Sequence, residues 1–478
     1  YSDKTSFKLS PKGNFISYMK PWEDGNRMMN VYIKNIKTEK EVRITSANER
    51  SIYGYFWLNE DRVAYIQDKG GDENIHIYAV NINGSKDMDL TPFKNVQARI
   101  IDDLEDDPDY MIIGLNKRDA KIHDVYRLDI NSGTMEMIAE NPGNIAHWMT
   151  DNLGRLRVAL VSDGVNQTLL HRKNESDDFI PILTTNFKET VSPLFFSFDN
   201  SFLYVESNRG RDKSAIFKFD LNTAKEGELI FKHDEVDVYG LMRSKKRKVI
   251  TGVSYTTDKR HIEFFDEWRE KLQVNLESKL PGVEVAITEL NDEETKTILI
   301  TYSDRSKGTY YYYDINNDEL VKLADLSPWL NEEDMAEMKP ISYKSRDGLT
   351  IHGYLTLPKG RKPENLPVVV NPHGGPWVRD YWGFNPEIQY LANKGYAVLQ
   401  MNYRGSTGYG KKFWEISFKQ WGKTMQDDIT DGVNWLIDEG IANPEKVAIY
   451  GGSYGGYATL SGLTFTPDLY ACGVDYVG

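Results

Sequence analysis

Seven short β-like runs, spaced about 44 to 49 residues apart through the first two thirds of the chain, restrict its fold more than any other feature. They are Val31-Tyr32-Ile33, Ile75-His76-Ile77-Tyr78, Asp124-Val125-Tyr126-Arg127-Leu128, Thr168-Leu169-Leu170, Ala215-Ile216-Phe217-Lys218-Phe219, His261-Ile262-Glu263-Phe264-Phe265 and Tyr310-Tyr311-Tyr312-Tyr313. That step is near the span of a four-stranded propeller blade. A turn signal comes after most of them: Asn35-Ile36, Asn81-Ile82-Asn83, Asp129-Ile130-Asn131, Asp220-Leu221-Asn222 and Asp314-Ile315-Asn316. Asn and Asp suit such turns because their side chains bond nearby backbone and tolerate left-handed dihedrals. The fourth and sixth units lack the signal, so the repeat is degenerate. Sustained helical periodicity is nearly absent before residue 325, which excludes helical solenoids of similar period. A radial array of small sheets also leaves few exposed edges. The expectation for residues 1–330 is a seven-bladed, all-β propeller.

The β rhythm breaks over residues 326–338, at Pro328 and the acidic stretch Asn331-Glu332-Glu333-Asp334. A second domain is expected from residue 338 to 478, since a chain of 478 residues exceeds what one core usually organises. Residues 339–345 and 349–357 read as strands joined by a turn at Asp347-Gly348. Val368-Val369-Val370 is a short buried strand, residues 386–394 look helical, and residues 397–401 form another strand. Met425, Ile429, Val433, Leu436 and Ile437 fall on one helix face at steps of three and four. Asn443-Pro444 is expected to end that unit, with the next strand at 446–450. Strands alternating with helices predict a mostly parallel sheet covered on both faces.

Directly after that strand comes Gly451-Gly452-Ser453-Tyr454-Gly455-Gly456-Tyr457, then an apolar helical run to about residue 464. Gly-x-Ser-x-Gly between a strand and a helix is a nucleophile elbow. The serine sits on a sharp, strained turn, so its neighbours must lack side chains that would collide with strand and helix. Its hydroxyl then stands at a helix N-terminus, where the dipole favours developing negative charge. Upstream, Asn371-Pro372-His373-Gly374-Gly375-Pro376 comes after the third strand. A glycine pair there lets backbone N–H groups approach a substrate oxygen, so Gly374 and Tyr454 are the expected oxyanion donors. His373 precedes the serine, whereas the order in such triads is serine, acid, histidine; it reads as structural.

With those residues quoted, the chain resembles the prolyl oligopeptidase family, nearest its acylaminoacyl-peptidase and dipeptidyl-peptidase-like bacterial branch. The likeness is strong from about residue 338, in residues 450–457, in His373-Gly374-Gly375-Pro376 and in Asn402-Tyr403-Arg404-Gly405-Ser406. It is weaker in Gly70-Gly71-Asp72-Glu73-Asn74 and Gly114-Leu115-Asn116-Lys117-Arg118-Asp119 of the propeller. The resemblance implies a serine peptidase with an α/β-hydrolase domain, working through an acyl-enzyme on Ser453. It also implies a propeller that admits short peptides and excludes folded proteins. Arg404 and Trp377 are candidate substrate contacts, although Arg404 could equally brace its loop. Tyr381, Trp382 and Phe384 either shape an entrance or pack at the domain interface.

The family's acid and histidine lie downstream of the serine. Here only Asp468 and Asp475 are acidic after Ser453, and no histidine comes after it. The triad Asp and His are therefore expected to lie outside this chain, which reads as C-terminally truncated and, alone, inactive. Two alternatives stand beside the peptidase: an esterase on the same hydrolase fold, or a non-catalytic propeller binding module if the chain truly ends at residue 478.

The net charge of −14 argues against a general nucleic-acid binder. Lys245-Lys246-Arg247-Lys248 is the local exception and reads as a solvated hairpin tip. The acidic cluster of Asp102, Asp103, Glu105, Asp106, Asp107 and Asp109 lacks the spacing of a calcium loop and reads as a solvated interblade loop. One cysteine, Cys472, excludes an intrachain disulfide and a cysteine-rich metal site. No cofactor or metal is expected, and no apolar run approaches the length needed to cross a bilayer. The expected partners are short peptide substrates, and a homo-oligomer is compatible with the sequence. The chain opens on Tyr1 rather than Met, so its start reads as trimmed and a missing secretory signal says little. Cytoplasm is the expected compartment, with periplasm or secretion as alternatives.

Overall fold

Each recurring run is the third strand of its own small sheet in the computed structural model, which describes residues 4–22, 25 and 27–478. Tyr1 lies outside the described residues. The third strands read as near-continuous apolar runs because blades press on them from both sides; in Ala215–Asp220, for example, Ala215, Ile216, Phe217 and Phe219 are all buried. Fourth strands lie outermost and are more polar, as in Lys225–Phe231. Six blades have four strands in sequence order, spanning residues 5–43, 54–89, 98–139, 145–186, 191–231 and 284–325.

The remaining blade, the sixth, has three strands over residues 238–264, then helix α1 (Glu267–Lys279) in place of a fourth. The near-absence of helix expected before residue 325 is thus corrected at one place. Its inner face mixes Leu272 and Leu276 with buried Arg269 and Gln273, so no apolar stripe shows in the sequence. Gln273 donates to the Val285 carbonyl at 2.8 Å, and Asp266 caps the helix by accepting from the Arg269 N–H at 2.9 Å. The basic tip at 245–248 is an exposed hairpin turn, as expected, and three of its side chains also pair with carboxylates. Lys245 pairs with Glu105, Lys246 with Glu293 at 2.6 Å, and Arg247 with both Asp266 and Glu294 at 2.6 Å.

Every blade is contiguous in sequence, so the ring closes by packing of the first blade on the seventh. Phe7, Leu9, Ile16, Tyr18 and Tyr32 meet Ile298 and Tyr312 there. The Leu9 N–H donates to Glu289 Oε2 at 2.6 Å, and Lys296 Nζ to the Gly13 carbonyl at 2.7 Å.

Beyond residue 337 the chain forms a six-stranded sheet of β1 (Met338–Lys344), β2 (Thr350–Thr356), β3 (Leu366–Val370), β4 (Ala397–Asn402), β5 (Ala442–Gly452) and β6 (Cys472–Tyr476). Spatial order is β1-β2-β4-β3-β5-β6; β1 and β2 run antiparallel and the last four strands are parallel. Helices α4 (Thr424–Asp438) and α5 (Tyr454–Phe465) cover one face: Met425, Ile429, Val433, Leu436 and Ala458 share a core with Val368, Val370, Leu399 and Ile449. Helix α2 (Pro386–Asn393) covers the other through Ile388, against Tyr354 and Val398. The break expected at Asn443-Pro444 falls inside β5. Pairing with β3 jumps there from Leu366↔Ala442 to Val368↔Val447, a bulge that absorbs a residue lacking an N–H. No helix among the described residues is long and apolar enough to cross a membrane.

Candidate active site

At the end of β5 the backbone turns through Ser453 at φ 55° and ψ −123° directly into α5. A non-glycine residue in that region is strained, and it persists only because the surroundings fix it. Ser453 N–H donates to the Tyr476 carbonyl at 2.9 Å, and its own carbonyl accepts from Tyr457 N–H at 3.0 Å. The flanking glycines explain how strand and helix come so close. A Cβ on Gly451 would stand 2.5 Å from the Gly455 carbonyl. One on Gly455 would be 2.2 Å from the Pro372 oxygen, and one on Gly456 2.2 Å from Asp475 Oδ1. Ser453 itself is exposed, and among the described residues its hydroxyl has no hydrogen-bond partner. The hydroxyl therefore stands at the start of α5, where the helix dipole favours negative charge.

The glycine loop comes to meet it. Asn371 ties the loop to the sheet, donating its N–H to the Leu399 carbonyl and Nδ2 to the Tyr450 carbonyl, both at 2.8 Å. A Cβ on Gly374 would lie 3.4 Å from Ser453 Cβ and 4.0 Å from Ser453 Oγ, so the backbone of Gly374 borders the hydroxyl. Among the described residues neither the Gly374 N–H nor the Tyr454 N–H is used in a hydrogen bond. Two free donors beside one exposed hydroxyl can receive an oxyanion formed on attack at a carbonyl carbon.

His373 takes no part in that arrangement. Nδ1 lies 2.8 Å from the Gly374 carbonyl, Nε2 lies 2.9 Å from Ser406 Oγ, and the ring stacks on Tyr403 at 4.3 Å. Burial pushes its pKa down to about 4, so it is neutral. Both nitrogens are engaged in holding the loop.

Arg404, a candidate substrate contact, needs correction. It is 4% exposed. Nε and Nη2 grip the two oxygens of Asp428 at 2.8 and 2.7 Å, and Nη1 reaches Asp347 at 2.8 Å. A guanidinium so committed has no free edge for a substrate and braces the loop after β4. The hydrogen bond from Arg404 also holds the Asp347 carboxyl below its usual range.

Trp377, three residues beyond Gly374, is 48% exposed. Its Nε1 donates to Ser417 Oγ at 3.2 Å, and its ring meets Trp414 and Phe418 edge-on at 6.1 and 6.0 Å. The propeller adds Phe187, 6.1 Å from Trp414 and 6.0 Å from Phe418. Trp421 closes on Tyr454 at 5.0 Å. Phe187, Trp414, Phe418 and Trp421 carry no sequence signal, because residues so far apart reveal their grouping only once folded. Of the other aromatics, Trp382 packs at the domain interface: Lys259 of the propeller lies 3.7 Å over its ring, and its Nε1 donates to the Met338 carbonyl at 2.9 Å.

Known proteins are similar to this chain in sequence and in fold. Residues 382–478 match the model of the prolyl oligopeptidase family. The whole chain is similar to dipeptidyl aminopeptidase BIII of Pseudoxanthomonas mexicana, with 35% identity over 100% of this chain and 70% of that protein. Dipeptidyl peptidase family member 6 of Caenorhabditis elegans is 28% identical over 99% of this chain and 69% of its own length. Among solved structures, a puromycin hydrolase superposes with a TM-score of 0.71 at 16% identity, covering 99% of this chain and 77% of the other. The acylaminoacyl peptidase of Pyrococcus horikoshii gives 0.68 at 16%, with 99% and 77% covered. These likenesses agree with a seven-bladed propeller followed by an α/β-hydrolase region.

Proposed function

Because this chain belongs to the prolyl oligopeptidase family of serine peptidases, we propose that Ser453 is the nucleophile that cleaves short peptides, with release of dipeptides as the favoured outcome. The observation that carries this reading is the strained, exposed Ser453 at the start of α5, bordered by two unused N–H donors. Ser453 Oγ attacks the scissile carbonyl carbon and gives its proton to a general base. The oxygen of the tetrahedral intermediate accepts from Gly374 and Tyr454 N–H. Collapse expels the amine, which takes the proton from the base, and leaves an ester on Ser453. A water, deprotonated by the same base, then releases the acyl product.

The base is not His373, whose nitrogens are engaged on the glycine loop, and all eight histidines precede Ser453. We assign the base and its orienting acid to sequence outside residues 1–478, so that this span alone turns over no peptide. The dipeptidyl preference is supported by the relative that is 35% identical, a dipeptidyl aminopeptidase by name.

The test compares chromogenic dipeptides carrying a free amino group with their N-acetylated and ester counterparts, using the full-length protein. Free-amino dipeptides are expected to turn over fastest, and Ser453→Ala to reduce turnover by about four to six powers of ten. Preference for simple esters would replace the peptidase with an esterase. Undiminished peptide cleavage by Ser453→Ala would overturn the nucleophile assignment.

A further inference from the structure

The propeller grips one segment of the hydrolase, residues 408–412, with hydrogen bonds to successive backbone groups. Asp237, at the entry to the sixth blade, accepts from Gly410 N–H at Oδ2 (3.0 Å) and from Ser214 N–H of its own domain at Oδ1 (2.7 Å). The Asp237 N–H donates to the Gly408 carbonyl at 2.9 Å. Asp212, in the fifth blade, accepts from Lys411 N–H at its carbonyl (2.8 Å) and from Lys412 N–H at Oδ1 (2.7 Å). Lys213 Nζ donates to the Tyr409 carbonyl. The fit is close: Gly410 has φ 91°, and a Cβ there would stand 2.6 Å from Lys213 Cδ.

The gripped residues lead directly into the aromatic wall beside the nucleophile. Helix α3 (Lys411–Glu415) carries Trp414, and the chain continues through Ser417, the acceptor of the Trp377 indole, and Phe418 to Trp421, 5.0 Å from Tyr454. Phe187 touches the same wall from the propeller side. The backbone N–H groups that open α3 are thus satisfied by Asp212 and Asp237 of the other domain.

We propose that Asp237 and Asp212 are positioning residues for the peptidase site: they hold residues 408–412 and thereby fix the wall of Trp377, Trp414, Phe418 and Trp421 against which the peptide's side chains lie. This rests on the peptidase reading above. A wall set by the other domain makes substrate binding depend on propeller carboxylates that never touch substrate, while Ser453 and the Tyr454 N–H are fixed by β5 and α5 and the Gly374 loop is tied to the sheet through Asn371.

The experiment uses the full-length protein, with kcat and KM for a short chromogenic peptide and the rate of labelling by a small fluorophosphonate. Asp237→Ala is expected to raise KM about tenfold or more, the loss of roughly one charge-assisted hydrogen bond's worth of order, with kcat within about threefold. Labelling, which needs the hydroxyl and donors but not the wall, should stay within about twofold. Asp237→Asn keeps one acceptor oxygen but turns its NH2 toward the other N–H, and should recover part of the KM. If Asp237→Ala does not fold, Asp212→Ala, which deletes one side-chain acceptor, is read in the same way. Unchanged KM in a folded variant overturns the proposal. A fall in labelling together with kcat also overturns it, because that is a general loss of structure. Absent labelling of the wild-type protein is the separate failure of the nucleophile assignment.

Discussion

At Gly455 an added Cβ would stand 2.2 Å from the Pro372 oxygen, whereas at Gly452 the nearest atom is the Tyr476 ring carbon at 3.3 Å. Backbone cannot yield as a side chain can, so two neighbouring glycine-to-alanine changes should differ sharply. Gly455→Ala should cost about 1–3 kcal/mol by forcing helix from loop, read as an earlier urea transition, and should displace Ser453 from its donors. Gly452→Ala should be nearly silent in stability. Arg404 offers a second contrast. Replacing it with alanine leaves Asp428, 0% exposed, without its guanidinium and with the residue-404 backbone N–H at 2.9 Å still donating to it, and should cost about 3 kcal/mol. KM in the protein that remains folded should hardly change; a raised KM at unchanged stability would restore Arg404 to the substrate. The elbow could be read from sequence because its chemistry is local: glycines, serine, strand and helix lie within one short stretch. Arg404 could not be settled there, since its partners Asp347 and Asp428 sit on other elements and nothing near it in sequence names them.

Among the elements, the regular repeats were legible and the exceptions were not. The missing turn signal after His261-Ile262-Glu263-Phe264-Phe265 marks the place where α1 replaces a strand, but Arg269 and Gln273 on its buried face erase the helical stripe. The join between first and last blades is equally invisible in sequence, and it holds an ionisable group. Burial pushes the Glu289 carboxyl up to about 7 from its ordinary 4.5, despite the hydrogen bond from Leu9 N–H. The folded chain therefore binds this proton more tightly than the unfolded chain. Its stabilising contribution is full below about pH 4.5 and is lost as pH rises through 7. Glu289→Gln, which can still accept from Leu9, should flatten this dependence and stabilise the protein at pH 8 by at most about 3 kcal/mol. Denaturant midpoints of the two proteins at pH 5 and pH 8 read the difference directly. Glu206, pushed up to about 7 by burial, titrates in the same window in both proteins and cancels in the comparison. A gap between them that does not widen with pH would mean that Glu289 is already ionised inside the join.

Across the whole molecule, two domains with different periodicities meet at specific hydrogen bonds. Tyr354 donates to the Asp258 carbonyl, Arg379 to the Thr257 carbonyl, Met338 N–H to Asp304, and residues 408–412 to Asp212 and Asp237. The sequence announces both domains through their internal rhythm, yet carries no sign of these contacts, because each joins positions that only the completed ring brings together. In the proposed reading the propeller sets the wall around an elbow it does not build, and catalysis depends on that elbow. Treating the full-length protein with a fluorophosphonate and mapping the adduct by peptide mass spectrometry tests it most directly. A single stoichiometric adduct on Ser453 that vanishes in Ser453→Ala is predicted; an adduct on any other serine, or one that survives the substitution, would contradict the nucleophile assignment.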